Sequence, residues 1–216
     1  MANRLALPAL YVILDATLLP SDPVEFVKRL MQAGARLFQY RNKTAPGREL
    51  LQAAQALNVT ARQEGACFLV NDRPDIARLA GASGVHVGQD DLDPEAARSI
   101  VGANAIVGIS THNLQQFRSA ADTDADYIAV GPIFETRTKA NPDPVVGLEL
   151  IREARRLTNK PIVAIGGITL EQAADVIRAG ADSVAVVSDI LAARNPASRV
   201  KQYLEILPAA AQPATN

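Results

Sequence analysis

Eight short apolar runs recur along this chain of 216 residues, with a capped amphipathic segment after nearly every one. They fall at residues 9–14, 37–41, 67–71, 85–87, 105–109, 127–130, 161–165 and 183–187. Their β-branched content and their length favour strand over helix. Helix-start signals stand between them. Asp22 precedes Pro23 and Glu25, Asp93 precedes Pro94, and Asn113 with Gln116 and Thr169 with Gln172 have capping-box spacing. Gly34, Gly65, Gly81, Gly102 and Gly180 punctuate the helix ends.

Continuous apolar strands alternating with helices need cover on both faces, which is the pattern of a parallel α/β sheet. Eight repeats without a linker favour a closed (β/α)8 TIM barrel over an open sheet, as a single domain across residues 1–216. The Ala/Pro-rich tail at 208–216 reads as frayed. A chain of this length buries enough apolar surface to need no staple. Cys67 is the only cysteine, so no internal disulfide is possible. It begins a strand and reads as core filler. The formal net charge of −1 offers no basic field for nucleic acid or an acidic membrane. Aromatic residues make up 4%, too few for a base-stacking surface. No apolar run approaches a membrane span and the N-terminus has no signal-peptide core, so the expected location is cytoplasmic. The choice between monomer and homo-oligomer stays open.

A barrel places its chemistry where strands end. The second strand ends in Gln39-Tyr40-Arg41-Asn42-Lys43; alternation puts Gln39, Arg41 and Lys43 on one face and Tyr40 on the other. The third ends in Asn71-Asp72. Asp72 taken alone reads as a helix N-cap. With Asp91, after the fourth strand, it sets two carboxylates on adjacent strands about 4.8 Å apart, within reach of one hard cation. His86 reads as a core histidine with satisfied partners. Ser110 ends the fifth strand as a hydroxyl donor, followed by His112 at a helix start. After the sixth strand a long loop alternates two hydroxyls with two cations, Thr136-Arg137-Thr138-Lys139, which suits an anionic, phosphate-bearing ligand. Gly166-Gly167 and Val187-Ser188 end the last two strands, where barrels of this kind bind phosphate through backbone amides. Two anionic sites on one lumen suit the joining of two phosphorylated small molecules, or the isomerisation of one.

These segments together resemble the thiamine phosphate synthase family. The likeness runs from Gln39-Tyr40-Arg41-Asn42-Lys43 and Asn71-Asp72 through His86-Val87-Gly88-Gln89-Asp90-Asp91 and Gly108-Ile109-Ser110-Thr111-His112. It continues in Gly131-Pro132-Ile133-Phe134-Glu135-Thr136-Arg137-Thr138-Lys139 and Ile165-Gly166-Gly167-Ile168. Tyr40 departs from it, standing where the family often has Leu. The resemblance implies transfer of a pyrimidinylmethyl group from its diphosphate to a phosphorylated (or carboxylated and phosphorylated) thiazole, releasing pyrophosphate. Carried onto this chain, Gln39, Tyr40, Arg41, Asn42, Lys43, Asn71, Ser110 and Lys139 would bind the pyrimidine diphosphate. Asp72 and Asp91 would hold Mg2+. Thr136, Arg137, Thr138, Gly167, Val187 and Ser188 would hold the thiazole phosphate, although alternation turns Arg137 from the threonines. Arg41, Lys139 and Ser110 would act on the leaving group. A thiazole tautomerase on the same fold would need one phosphate site and a proton-transfer group such as His112, without Mg2+. A non-catalytic phosphate sensor would need no complete rim set.

Overall fold

The computed structural model describes residues 5–136 and 143–211. The elements run β1 (Leu10–Asp15), α1 (Pro23–Gln32), β2 (Leu37–Arg41), α2 (Gly47–Gln63), β3 (Cys67–Asn71), α3 (Pro74–Ala80), β4 (Gly84–Val87) and α4 (Pro94–Val101). They continue β5 (Ile106–Thr111), α5 (Leu114–Ala121), β6 (Tyr127–Val130), α6 (Gly147–Leu157), β7 (Ile162–Ala164), α7 (Leu170–Arg178), β8 (Ser183–Val186), α8 (Ser188–Leu191) and α9 (Pro196–Ala210). All neighbouring strands pair in parallel, and β8 returns to β1 to close the barrel. The (β/α)8 expectation holds.

Alternation along the strands separates two apolar layers. Leu10, Val12, Leu14, Phe38, Tyr40, Phe68 and Val70 face outward into the shell beneath the helices. Tyr11, Ile13, Leu37, Leu69, Tyr127, Ala129, Val163 and Ala185 fill the lumen. Burial of this apolar surface is the main force closing the barrel. Asp22, Asp93 and Asn113 cap α1, α4 and α5 with their side chains. Gln116 returns its amide oxygen to the His112 N–H rather than to the cap residue, so that box is half formed. All five punctuating glycines lie at positive φ.

Two aspartates perform the same task two strands apart. Asp126, just before β6, accepts the Val107 N–H at 2.7 Å and the Arg98 guanidinium at 2.6 Å. Asp182, just before β8, accepts the Ile162 N–H and the Arg155 guanidinium, each at 2.8 Å. Each carboxylate satisfies a strand-start amide and ties it to the helix before that strand.

The end of the chain departs from a simple eighth repeat. The last repeat holds two helices, a four-residue α8 followed by α9, because Asn195 and Pro196 start a second helix after a short break. Residues 208–210 of the expected frayed tail continue α9, Pro208 included, next to the fully buried Leu207; residues 212–216 lie outside the described residues.

Candidate active site

The strand C-termini open into a cavity of about 1080 Å3, large enough for two small ligands together. Gln39, Arg41 and Lys43 line it, as alternation requires. Gln39 is 4% exposed and donates its amide N–H to the Tyr11 hydroxyl at 2.8 Å. The Arg41 guanidinium pairs with Asp15, which also accepts the Thr17 N–H at 3.0 Å. Tyr40 and Asn42 are not among the side chains that line the cavity. Tyr40 packs in the outer shell. Asn42 uses its side-chain oxygen to accept the backbone N–H groups of Thr44 at 3.1 Å and Ala45 at 3.0 Å, and donates to Tyr40 Oη at 3.2 Å. It shapes the turn into α2.

Asn71, Asp72 and Asp91 all reach the cavity. Asp72 is not a helix cap; Arg73 takes that place, and Asp72 sits at φ 63° with its carboxylate paired to Lys43. A non-glycine residue in this left-handed region carries backbone strain, which tends to persist at working sites. The Asp91 carboxylate accepts the Gly88 N–H at 2.8 Å. Burial, then contact with Asp72, pushes the Asp91 carboxyl above the usual range, while the Gly88 N–H and Lys43 pull the other way. Two crowded carboxylates with one lysine form an acidic site whose repulsion a hard cation relieves. No group of three ligating side chains gathers among the described residues, so such a cation would complete its shell with ligand or water oxygens.

Ser110 lines the same wall, with Oγ 2.8 Å from His86 Nε2. His86 is the satisfied histidine expected, but it faces the cavity. His112 Nδ1 lies 2.5 Å from the Gly131 carbonyl oxygen and its Nε2 lies 3.5 Å from Asp143, so it braces both ends of the loop between β6 and α6.

Thr136 and Gly167 lie on the opposite side with Val187 and Ser188. The glycine pair has a structural task beyond ligand approach. A Cβ on Gly166 would stand 2.5 Å from Pro132 Cβ, and one on Gly167 would stand 2.3 Å from the Glu135 carbonyl oxygen. The loops after β6 and β7 therefore touch backbone to backbone, with Ile133 N–H on Ile165 O at 2.9 Å and Phe134 N–H on Gly166 O at 3.1 Å. Asp189 accepts the Tyr203 hydroxyl at 2.7 Å and an Arg199 N–H at 3.2 Å, which fixes α8 to α9 beside Ser188. Arg137, Thr138 and Lys139 lie outside the described residues.

Sequence reasoning missed Asp15, Tyr11 and Tyr127. Asp15 ends β1, one residue past the expected strand, and an acidic residue at a strand end was the available signal. The two tyrosines read as ordinary core until the barrel register is known.

A sequence model described as thiamine monophosphate synthase, TMP-TENI, matches residues 10–190. The chain belongs to this family. It is 50% identical over 212 residues to a thiamine-phosphate synthase of Koribacter versatilis, covering 96% of this chain and 99% of that protein. A thiamine-phosphate synthase of Bacillus velezensis is 39% identical, over 91% of this chain and 89% of its own. Among solved structures, a thiamine phosphate pyrophosphorylase from Pyrococcus furiosus superposes with a TM-score of 0.85 at 34% identity, covering 94% and 96% of the two chains.

Proposed function

We infer that the protein is an enzyme of thiamine biosynthesis that condenses a pyrimidinylmethyl diphosphate with a thiazole phosphate, giving thiamine phosphate and pyrophosphate. The observation that supports this reading is one cavity with two chemically different walls. One wall is cationic and acidic, with Arg41, Lys43, Asp72 and Asp91; the other is built of glycine backbone and hydroxyls at Gly167, Thr136 and Ser188.

On this reading the diphosphate lies on the first wall, against Arg41, Lys43, Asn71 and Ser110. Asp72 and Asp91 fit Mg2+ by their chemistry and crowding; bound there, the ion would neutralise charge developing on the leaving diphosphate. Asp15 holds Arg41 in place before substrate arrives, so little reorganisation is needed at the moment of reaction. Lys43 would exchange its Asp72 contact for a phosphate oxygen. The thiazole phosphate would lie on the second wall.

The chemistry is a displacement at the pyrimidinylmethyl carbon. The bond from that carbon to the diphosphate oxygen breaks, the electron pair leaves with pyrophosphate, and the thiazole nitrogen forms the new bond. The ring amino group stabilises the positive charge on the carbon. Little proton transfer is required. The barrel supplies position and exclusion of water. By the family resemblance, Lys139 would serve the diphosphate, and Thr136, Arg137 and Thr138 the thiazole phosphate.

Incubation of the purified protein with both substrates and Mg2+, followed by mass spectrometry, tests the reading. Thiamine phosphate is expected only when both substrates are present. Isomerisation of the thiazole with no condensation would overturn it.

A further inference from the structure

A continuous hydrogen-bonded chain crosses the lumen beneath the cavity. The Gln39 amide N–H donates to Tyr11 Oη at 2.8 Å, and Tyr11 Oη lies 3.1 Å from Tyr127 Oη. Tyr127 Oη lies 2.8 Å from His86 Nδ1, and His86 Nε2 lies 2.8 Å from Ser110 Oγ. Gln39, Tyr11, Tyr127, His86 and Ser110 are all buried.

The chain has a direction. With Gln39 donating to Tyr11, every link of the chain is used when the Tyr11 hydroxyl proton points to Tyr127. Burial raises both tyrosine pKa values, which keeps both hydroxyls protonated. The Tyr127 proton in turn goes to His86 Nδ1. A neutral imidazole that accepts at Nδ1 carries its proton on Nε2. That proton goes to Ser110 Oγ, and the Ser110 hydroxyl keeps its own proton for a further acceptor.

The strand register was cleared for this contact. His86 pairs with Gly108, and Gly108 pairs with Tyr127, so the three form one row across β4, β5 and β6. The missing side chain in the middle lets the outer two meet, with ring centroids 5.6 Å apart and planes 19° apart. A Cβ on Gly108 would stand 2.4 Å from the Tyr127 hydroxyl oxygen and 2.0 Å from its Cζ.

We propose that Tyr127 is a positioning residue: by donating to His86 Nδ1 it fixes the Nε2–H tautomer and so commits the Ser110 hydroxyl to donate into the cavity. The partner is an acceptor on the pyrimidine substrate, a ring nitrogen or a diphosphate oxygen. This deepens the condensation reading and rests on it for the identity of the substrate, but the tautomer itself does not.

The test labels the full chain with 15N-histidine and records two-bond 1H–15N correlations near neutral pH, with His112→Gln used to assign the two histidines. The expected spectrum shows His86 protonated at Nε2 and accepting at Nδ1. Tyr127→Phe removes the donor and should disturb that pattern. It should raise KM for the pyrimidine diphosphate roughly tenfold, the worth of about one neutral hydrogen bond, and leave KM for the thiazole phosphate within about twofold. Gly108→Ala, which keeps the hydroxyl but displaces it, should give the same selective change. An Nδ1–H His86 in the unaltered protein overturns the proposal, and so does a pyrimidine KM that Tyr127→Phe leaves unmoved; His112, whose Nδ1 faces the Gly131 carbonyl oxygen, is expected in the Nδ1–H form and does not bear on it. The spectrum of the unaltered protein needs neither substrate nor turnover, so failure of the condensation assay and failure of the tautomer are read separately.

Discussion

Arg41 meets Asp15 across the β1–β2 register, and the pair is nearly sealed: Asp15 is 2% exposed and Arg41 20%. A charge held in this way is costly to strand, because the remaining partner loses both water and its counter-ion. Asp15→Asn keeps an acceptor for the Thr17 N–H but removes the charge. It should cost about 2 kcal/mol of stability and raise KM for the pyrimidine diphosphate about tenfold. Urea unfolding and steady-state kinetics check the two effects; a variant indistinguishable in both would mean that Asp15 does not position Arg41.

Gly167 joins two loops of the site. Its φ of 68° and the 2.3 Å approach of a Cβ to the Glu135 carbonyl both oppose any side chain. Gly167→Ala should therefore cost about 2 kcal/mol or more and weaken binding of the thiazole phosphate more than that of the diphosphate. A urea midpoint equal to that of the parent protein would contradict this packing.

Cys67 offers a pH-dependent check on its role as core filler. Burial pushes its thiol pKa up, against a smaller opposing contribution from Ser83. A raised thiol pKa means less thiolate at any given pH below it, and only the thiolate reacts. Labelling at pH 8 should be slower than for a free cysteine by about tenfold or more, accelerating as the pH rises. Cys67→Ala should retain turnover. Rapid labelling at pH 8, or loss of activity in the variant, would assign the thiol a working role.

The strand ends were legible in the sequence because each buried strand gives way abruptly to polar residues, and the closed barrel forces those ends onto one rim. Gln39, Arg41, Asn71, Asp72, Asp91 and Ser110 follow from that rule alone, and all line the cavity. Properties that depend on pairing between distant strands were not legible. Tyr11 and Tyr127 are 116 positions apart, and only the register brings their hydroxyls together. The reading of Asp72 as a cap failed for a related reason: its backbone turns left-handed, and its carboxylate finds Lys43 on the neighbouring strand's loop. Nor was it legible that the Asn42 side chain serves the turn beside the site.

The carboxylate pair predicts a metal dependence. Asp72→Ala with Asp91→Ala should lower Mg2+-dependent turnover by on the order of 10²–10³-fold. The free protein should lose little stability, since the substitution also removes the contact between two carboxylates. Turnover measured across a Mg2+ titration checks this; an unchanged dependence would place the ion elsewhere.

The most direct test of two substrates meeting in one lumen is the product stoichiometry of a single reaction. With the pyrimidine diphosphate, the thiazole phosphate and Mg2+ present, thiamine phosphate and pyrophosphate should appear in equal amounts, and neither should form when the thiazole is omitted. Pyrophosphate released without thiamine phosphate, or no product from the complete mixture, would contradict the account.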